Sequence, residues 1–132
     1  MSFTPEQLTG SMPLFALLGA EIESASPEEV RASLAWHESR CTAGGILHGG
    51  ALMALADGCG GVCAFLNLPE GAGGTATIES KTNFFRPVSS GTVHAVSTPL
   101  NRSRTTITVD TELRNDEGKL VARVTQTQAV LG

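Results

Sequence analysis

Four residues in one short stretch of the sequence have types and spacing that could do chemistry. His48, Gly49 and Gly50 stand directly before an apolar run, and Asp57 is the only charged residue within that run. Backbone amides in the first turn of a helix can stabilise an oxygen that gains negative charge, and a carboxylate can act as nucleophile or general base. The stretch therefore suggests an oxyanion site and a reactive carboxylate, although glycines at this place are also typical of a tight turn.

A helix over residues 48–66 must position these groups. Its apolar residues recur at spacings of three and four, which predicts one stripe facing a sheet: Leu52, Leu55, Cys59, Val62 and Leu66. The opposite face carries Asp57 as its only charge, among small or apolar residues: Gly50, Met53, Ala54, Gly61 and Ala64. A helix without a polar face is covered on both sides. We therefore expect a second copy of the chain to cover the Asp57 side.

Asp57 and the start of this helix cannot meet within one chain. Eight residues separate Gly49 from Asp57, or about 12 Å along a helix axis. Two antiparallel helices related by a twofold axis would bring each helix start beside the partner's aspartate. The sequence thus predicts a dimer with two sites. The alternative is an interface carboxylate that binds the partner's helix start and does no chemistry.

The remaining segments predict an α+β domain. Two short helical turns lie in residues 4–19, a hairpin in residues 20–36 and a loop in residues 37–46. In the hairpin Val30, Ala32, Leu34 and Trp36 are expected to point inward, as are Ile107, Val109, Thr111 and Leu113 of a later strand. One long helix with five or six antiparallel strands predicts a single domain over residues 1–132, with a curved sheet around the helix.

Composition excludes several classes of function. The net charge of −4 argues against nonspecific nucleic-acid binding. No signal peptide or membrane-spanning run is evident, so we expect a cytoplasmic protein without a membrane partner. Cys41, Cys59 and Cys63 lack metal-ligand spacing, which predicts reduced thiols and no metal site. Nucleotide-binding glycine motifs and a serine nucleophile elbow are missing.

The stretch also resembles a known family. Gly45, the HGG triplet that starts at His48, and Asp57 after Ala56 form the pattern GxxHGGxxxxxAD, and "NFFRPV", "GKLVA" and "TQAVL" continue the likeness over about residues 40–131. This chain is similar to the hotdog-fold acyl-CoA thioesterases of the phenylacetate-degradation and 4-hydroxybenzoyl-CoA types. The resemblance implies a central helix wrapped by an antiparallel sheet, and dimers that often pair into tetramers.

The resemblance also implies roles for the site residues. Asp57 would be the nucleophile or general base, and the amide of Gly49 from the other subunit would polarise the thioester carbonyl. His48 would orient the loop or substrate, or else bond only to backbone. Family members often have asparagine or glutamine where this chain has Thr42, six residues before the histidine. Thr77 matches a strand position that holds the attacking water in one branch of the family.

The distribution of charge fits a substrate that contains coenzyme A. No separate cofactor is expected. Residues 1–70 hold two Lys or Arg against eight acids, whereas residues 71–132 hold seven against five. Arginine suits phosphate groups through its paired donors. The residues expected to contact acyl-CoA are Gly50, Gly61, Val62, Arg86, Arg102 and Arg104. Candidates for the acyl pocket are Met53, Phe84, Phe85 and the region of residues 14–18.

Three alternatives to a thioesterase remain at this point. A noncatalytic acyl-CoA-binding protein would tolerate loss of Asp57. A hotdog dehydratase or hydratase would need a histidine and an acid paired across the dimer, and His94 is the only histidine after residue 70. A structural protein would use the helix face for assembly alone.

Overall fold

A six-stranded antiparallel sheet curves around one long helix in the computed structural model, which describes residues 2–132. This confirms the predicted hotdog architecture. In chain order the elements are α1 (Pro5–Gly10), α2 (Pro13–Leu17), β1 (Glu21–Ala25), β2 (Val30–Ala35), α3 (Gly49–Leu66), β3 (Gly74–Phe84), β4 (Thr92–Arg102), β5 (Thr106–Arg114) and β6 (Leu120–Leu131). The strand order is β1-β2-β4-β5-β6-β3, so β3 and β1 form the edges of the sheet.

The core helix α3 begins one residue later than predicted. His48 has extended backbone angles, φ −63° and ψ 134°, and lies outside the helix as its N-cap. The predicted stripe does face the sheet, since Leu55 and Cys59 are fully buried and Leu52 and Val62 nearly so. Half-buried Leu66 completes the stripe at the end of the helix.

Alternation along the strands places the apolar side chains against α3. Val30, Ala32 and Leu34 on β2 are at most 1% exposed, and Trp36 beyond them is half-buried. On β5 the residues predicted to point inward, Ile107, Val109, Thr111 and Leu113, are completely buried. The inward face of both strands was thus predicted correctly.

The loop over residues 37–46 contains a short element that the sequence analysis missed. Glu38–Arg40 form one turn of 3-10 helix, and the His37 side chain accepts a hydrogen bond from the Ser39 amide at its start. Further along, the Trp36 indole donates to the Gly45 carbonyl at 2.9 Å. These contacts fix the segment that leads into α3.

The outer side of α3 is covered partly by the chain's own N-terminal helices, which corrects the expectation of a second copy as the whole cover. The Phe15 ring of α2 lies against Gly58, where any Cβ would overlap it. A glycine therefore allows the two helices to touch. Ala64, expected on the face that a second copy covers, is fully buried within one chain. Gly50, Met53 and Asp57 remain exposed on the part of the helix that α1 and α2 leave open.

Beside this open part of α3 runs the edge strand β3. Its eleven residues are exposed or half-exposed, although β3 pairs with β6 along its whole length. Ile78 at a bulge in this strand is 63% exposed. An exposed edge strand of this length is a surface on which another strand can pair.

The helix α3 is also long and apolar enough to cross a membrane by length and composition, with a mean hydropathy of 1.5. Half of it is buried inside the protein. Because the sheet wraps around it, α3 is the core helix of this fold.

Candidate active site

Asp57 lies at the middle of α3 and faces the inward side of β3 and β6. Its Oδ1 accepts a hydrogen bond from the Thr77 hydroxyl at 3.3 Å and another from the Gln126 amide at 3.2 Å. Thr77 is on β3 and Gln126 is on β6. The structure therefore brings together two residues that the sequence analysis selected, Asp57 and Thr77, and adds a third.

A second glutamine extends this network and fixes its direction. Gln128 Nε2 donates to the Thr77 hydroxyl oxygen at 2.7 Å. The Thr77 hydroxyl accepts from Gln128 and so directs its own proton to Asp57. Within one chain Thr77 therefore donates directly to the Asp57 carboxylate. Oδ1 of this carboxylate accepts two hydrogen bonds, whereas Thr77 itself accepts one from Gln128.

Sequence reasoning missed both glutamines, although the strand pattern carried a signal. Val124, Gln126 and Gln128 alternate along β6 and share its inward face, where Gln126 is fully buried and Gln128 is 2% exposed. A buried polar side chain is kept where it has a partner. The polar residues at inward positions of this strand therefore mark the place where the site lies.

Gly60 makes room for Gln126 at the helix. A Cβ at Gly60 would overlap Oε1 of Gln126, so only glycine at this position lets the glutamine lie flat against α3. Oε1 is one of two buried side-chain polar atoms in residues 2–132 without a hydrogen-bond partner; the other is Oγ1 of Thr82 on β3. Leaving an acceptor unpaired costs free energy. The folded state carries this cost at Gln126, the residue that contacts Asp57.

A cavity of about 470 Å³ opens beside Asp57. It lies between α1, α3 and β3, and its walls are mainly apolar. The lining residues include Phe3, Leu8, Met12, Asp57, Gly61, Val62, Phe65 and Thr77. Phe3 and Phe65 contact each other edge to face, with ring centroids 6.2 Å apart. Apolar walls with a few polar groups on one side are typical of a small-molecule site.

This cavity differs from the acyl pocket that the sequence analysis expected. Gly61 and Val62 line it as predicted, but Met53 and residues 14–18 do not, and Phe84 and Phe85 line a separate groove at the start of α3. Leu14 and Leu17 point to solvent, with 64% and 82% exposure. The walls come instead from α1 and the segment before α2, which fold back over α3.

The start of α3 offers one free amide rather than two. The Gly50 amide donates to Nδ1 of His48 at 2.8 Å, so it is occupied and does not serve the predicted oxyanion site. The Gly49 amide donates to no other group in residues 2–132. A Cβ at Gly49 would lie 3.2 Å from the Phe84 ring. His48 thus acts as a helix cap that bonds to backbone.

Thr42 lies in the exposed part of the loop before α3. Its amide donates to the Ile46 carbonyl at 2.8 Å, and Thr42 does not line the cavity beside Asp57. Within one chain the structure therefore does not bring Thr42 to the carboxylate.

The three arginines expected to contact coenzyme A lie at two different ends of the molecule. Arg86 lines the groove that also contains Gly49, and donates to the Leu120 carbonyl at 2.9 Å. Arg102 donates to Asn67 Oδ1 at 3.1 Å, beyond the other end of α3. Arg104 is exposed in the turn between β4 and β5. An 18-residue helix is about 27 Å long, so Arg86 and Arg102 of one chain are far apart.

His94 has an acidic partner, but on the outer side of the sheet. Its Nε2 lies 2.8 Å from Asp116 Oδ1, and both side chains are about half exposed. The hydrogen bond from His94 is the main cause that lowers the pKa of Asp116. Because this pair stands apart from the cavity, it gives no support to a dehydratase.

Comparison with known families shows to which class of protein this chain belongs. The model of the thioesterase superfamily matches residues 44–122, a stretch that includes α3, Asp57 and Thr77. The chain belongs to the thioesterase superfamily. The predicted hotdog thioesterase and its class of reaction, thioester hydrolysis, are thereby confirmed at the level of the family.

The relatives of this chain agree with its membership of the thioesterase superfamily. A protein of Haemophilus influenzae whose name proposes an esterase is 34% identical over 82% of this chain and 79% of its own length. The crystal structure of a thioesterase from the same organism has a TM-score of 0.92 at 30% identity, covering 100% of this chain and 93% of the other. A phenylacetic acid degradation protein from Thermus thermophilus has a TM-score of 0.83 at 29% identity, covering 91% and 100%.

For a thioesterase, the observed arrangement supplies a carboxylate with a fixed orientation, an apolar cavity beside it and a free helix-start amide. Within one chain that amide lies about 12 Å from Asp57, eight residues along α3. Within one chain, Asp57 and the Gly49 amide therefore cannot both contact the same carbonyl group.

Proposed function

We propose that this thioesterase hydrolyses acyl-CoA thioesters to the free acid and coenzyme A, with Asp57 as the reacting carboxylate. The observation that carries the proposal is the position of Asp57, which is held by Thr77 and Gln126 and opens onto an apolar cavity of about 470 Å³. That volume is within the range of pockets for small organic ligands. It suits an aromatic or a short to medium aliphatic acyl group.

Two routes use the same carboxylate. As nucleophile, Asp57 attacks the thioester carbon, the carbon–sulfur bond breaks, and the thiolate leaves behind a mixed anhydride; water then cleaves the anhydride to the acid and the Asp57 carboxylate, and the thiolate takes a proton from that water. As general base, Asp57 takes a proton from water while the water oxygen attacks the same carbon, and the thiolate leaves with that proton. Both routes give a carboxylic acid and a free thiol.

The oxyanion of either route needs a donor that Asp57's own chain does not bring close. We infer that two chains associate with their α3 helices antiparallel, so that the free amide of Gly49 of the partner subunit lies beside Asp57. The exposed residues around this side of the molecule support such an association. Met53 on α3 and Ile78 on β3 are 40% and 63% exposed, and β3 is an edge strand.

The same association supports the assignment of arginines to the nucleotide part of coenzyme A. Arg86 lies in the groove beside Gly49, and its guanidinium suits a phosphate. In this antiparallel arrangement the C-terminal end of α3, near Arg102, extends past the start of the partner's helix. It therefore lies on the same side of the dimer as the partner's Arg86. Arg102 and Arg104 of one chain are then further candidates for the phosphates.

A free-thiol release assay tests this function directly. Purified protein is mixed with a panel of aromatic and aliphatic acyl-CoAs, and the liberated thiol is followed with a thiol-reactive dye. We expect turnover on at least one apolar acyl-CoA. Tight binding of acyl-CoA without thiol release would indicate a noncatalytic binding protein, and neither binding nor release would contradict the proposal.

Sedimentation with two matched variants tests the shared site. Ile78→Lys places a charge on the exposed edge strand, whereas Leu17→Lys places one on an 82% exposed residue of α2. We expect Ile78→Lys to lower both the assembly state and thiol release, and Leu17→Lys to leave both unchanged. A monomeric Ile78→Lys protein with full activity would reject a site shared between chains.

A further inference from the structure

Gln126 on β6 contacts Asp57 without lining the cavity beside it. Its Nε2 lies 3.2 Å from Oδ1 of Asp57 and its side chain is fully buried. A glutamine reaching the middle of the core helix has to fit a space of fixed size, and the missing side chain of Gly60 provides that space. The contact therefore depends on two residues that lie 66 positions apart in the sequence.

The two carboxylate oxygens of Asp57 consequently have different surroundings. Oδ1 accepts from Thr77 at 3.3 Å and from Gln126 at 3.2 Å. Oδ2 accepts no hydrogen bond from any group in residues 2–132. Donors on one oxygen draw negative charge toward it and hold the carboxylate plane in one orientation. The oxygen without donors keeps lone pairs free for a proton or a carbonyl carbon.

We propose that Gln126 is a positioning residue that locks Oδ1 of Asp57 and leaves Oδ2 as the oxygen that reacts, with Gln128 supporting the lock through Thr77. This role rests on the proposed function of Asp57. Gln126 takes no part in bond making. Its buried and unpartnered Oε1 shows that the amide is held by its Nε2 contact and by packing against Gly60, at a cost to the folded state.

Replacing Gln126 by methionine removes the donor and keeps a side chain of similar length. A donor that bonds a carboxylate oxygen alters the electron density at the carboxyl carbon, and this effect is lost with the donor. We expect the carbon-13 chemical shift of the Asp57 carboxyl at neutral pH to differ between Gln126→Met and the wild type. This measurement needs no substrate.

Thr111→Val is the matched control for this substitution. Thr111 is as buried as Gln126, on the neighbouring strand β5, but its hydroxyl bonds to Ser97 rather than to Asp57. The Asp57 carboxyl signal should keep its wild-type position in Thr111→Val. If Gln126→Met does not fold, Gly60→Ala displaces the same amide from the helix side without altering β6, and a moved Asp57 signal is expected there as well.

Kinetics supply a readout that a merely structural role would not move. We expect kcat to fall about tenfold in Gln126→Met, with KM nearly unchanged, because the carboxylate is less well oriented. In an Asp57→Asn background the Gln126→Met substitution should cause no further loss, since both act through one group. An unmoved Asp57 carboxyl signal, or an equal loss of kcat in both backgrounds, would overturn the positioning role. Absence of thiol release by the wild type would instead contradict the proposed function, and the carboxyl signal would still decide the contact.

Discussion

The Phe15 ring of α2 rests directly on the backbone of Gly58 in α3. This contact closes the N-terminal helices over the core helix at Gly58, which itself lines the cavity beside Asp57. Two glycines three residues apart on α3 therefore have opposite surroundings, because a Cβ at Gly61 would meet nothing within 4 Å.

Alanine substitutions at these glycines should change stability in opposite directions. Gly58→Ala forces the Phe15 ring to move and should lower the free energy of unfolding by about 1–3 kcal/mol. Gly61→Ala removes a flexible residue from a helix at an open position and should raise it by up to about 1 kcal/mol. Urea unfolding at one fixed protein concentration measures both. Equal destabilisation by the two variants would contradict the contact as described.

Asp57→Asn should abolish turnover without unfolding the protein. The asparagine carbonyl can accept the hydrogen bonds from Thr77 and Gln126, but it lacks the charge and basicity that both routes need. We expect kcat to fall at least about a hundredfold, with the thermal midpoint and sedimentation unchanged. Asp116→Asn, on the exposed turn before β6, serves as the control with full activity. An unstable Asp57→Asn protein that still turns over would mean that the aspartate is structural.

Arg86→Ala should weaken the binding of acyl-CoA more than that of a short thioester without a nucleotide. The guanidinium lies in the groove beside Gly49 and is proposed to contact the nucleotide rather than the thioester, so its loss should raise KM for acyl-CoA and leave kcat nearly unchanged. Steady-state kinetics on both substrates separate the effects. If KM rises equally for the two thioesters, Arg86 does not contact the nucleotide.

Two buried thiols should make stability depend on pH in the alkaline range. Burial raises the pKa of Cys59 from 9.0 to about 12, and that of Cys63 from 9.0 to about 11. Unfolded thiols ionise above pH 9, whereas the folded ones stay neutral, so this stability is complete below pH 9 and is lost as pH rises toward 11 and 12.

Alkylation at pH 8 checks the same burial. Iodoacetamide should modify half-buried Cys41 in the native protein, and Cys59 and Cys63 only after unfolding. Mass spectrometry counts the modified thiols. Rapid native labelling of Cys59 would show that the space between α3 and the sheet is open to solvent.

Periodicity was sufficient to predict the core helix and the inward residues of β2 and β5, because each pattern lies within one element. Asp57 stood out as a lone charge in an apolar helix, and the family motif selected Thr77. The contact of Gln126 with Asp57 spans 69 residues. Such a contact depends on how the strands are ordered in the sheet, which no local pattern in this sequence specifies.

Separation along the sequence also explains why the N-terminal helices were not predicted to cover α3. Phe15 and Gly58 are unremarkable in their own segments, and only the folded chain shows that one fits the other. The apolar side of α3 did predict a second cover correctly. Composition could not show whether this cover is a short helix of the same chain or a second chain, since either one would bury the same apolar surface.

The order of the strands sets a sequence of events during synthesis on the ribosome. In its own chain β3 pairs only with β6, which begins at Leu120, after β4 and β5 have been made. Until β6 emerges, β3 has no partner strand, and Asp57 lacks Gln126. The Asp57 carboxylate would therefore acquire its contact with Gln126 in the last step of folding, and a nascent chain stalled before Leu120 would expose an apolar core helix for chaperones to bind.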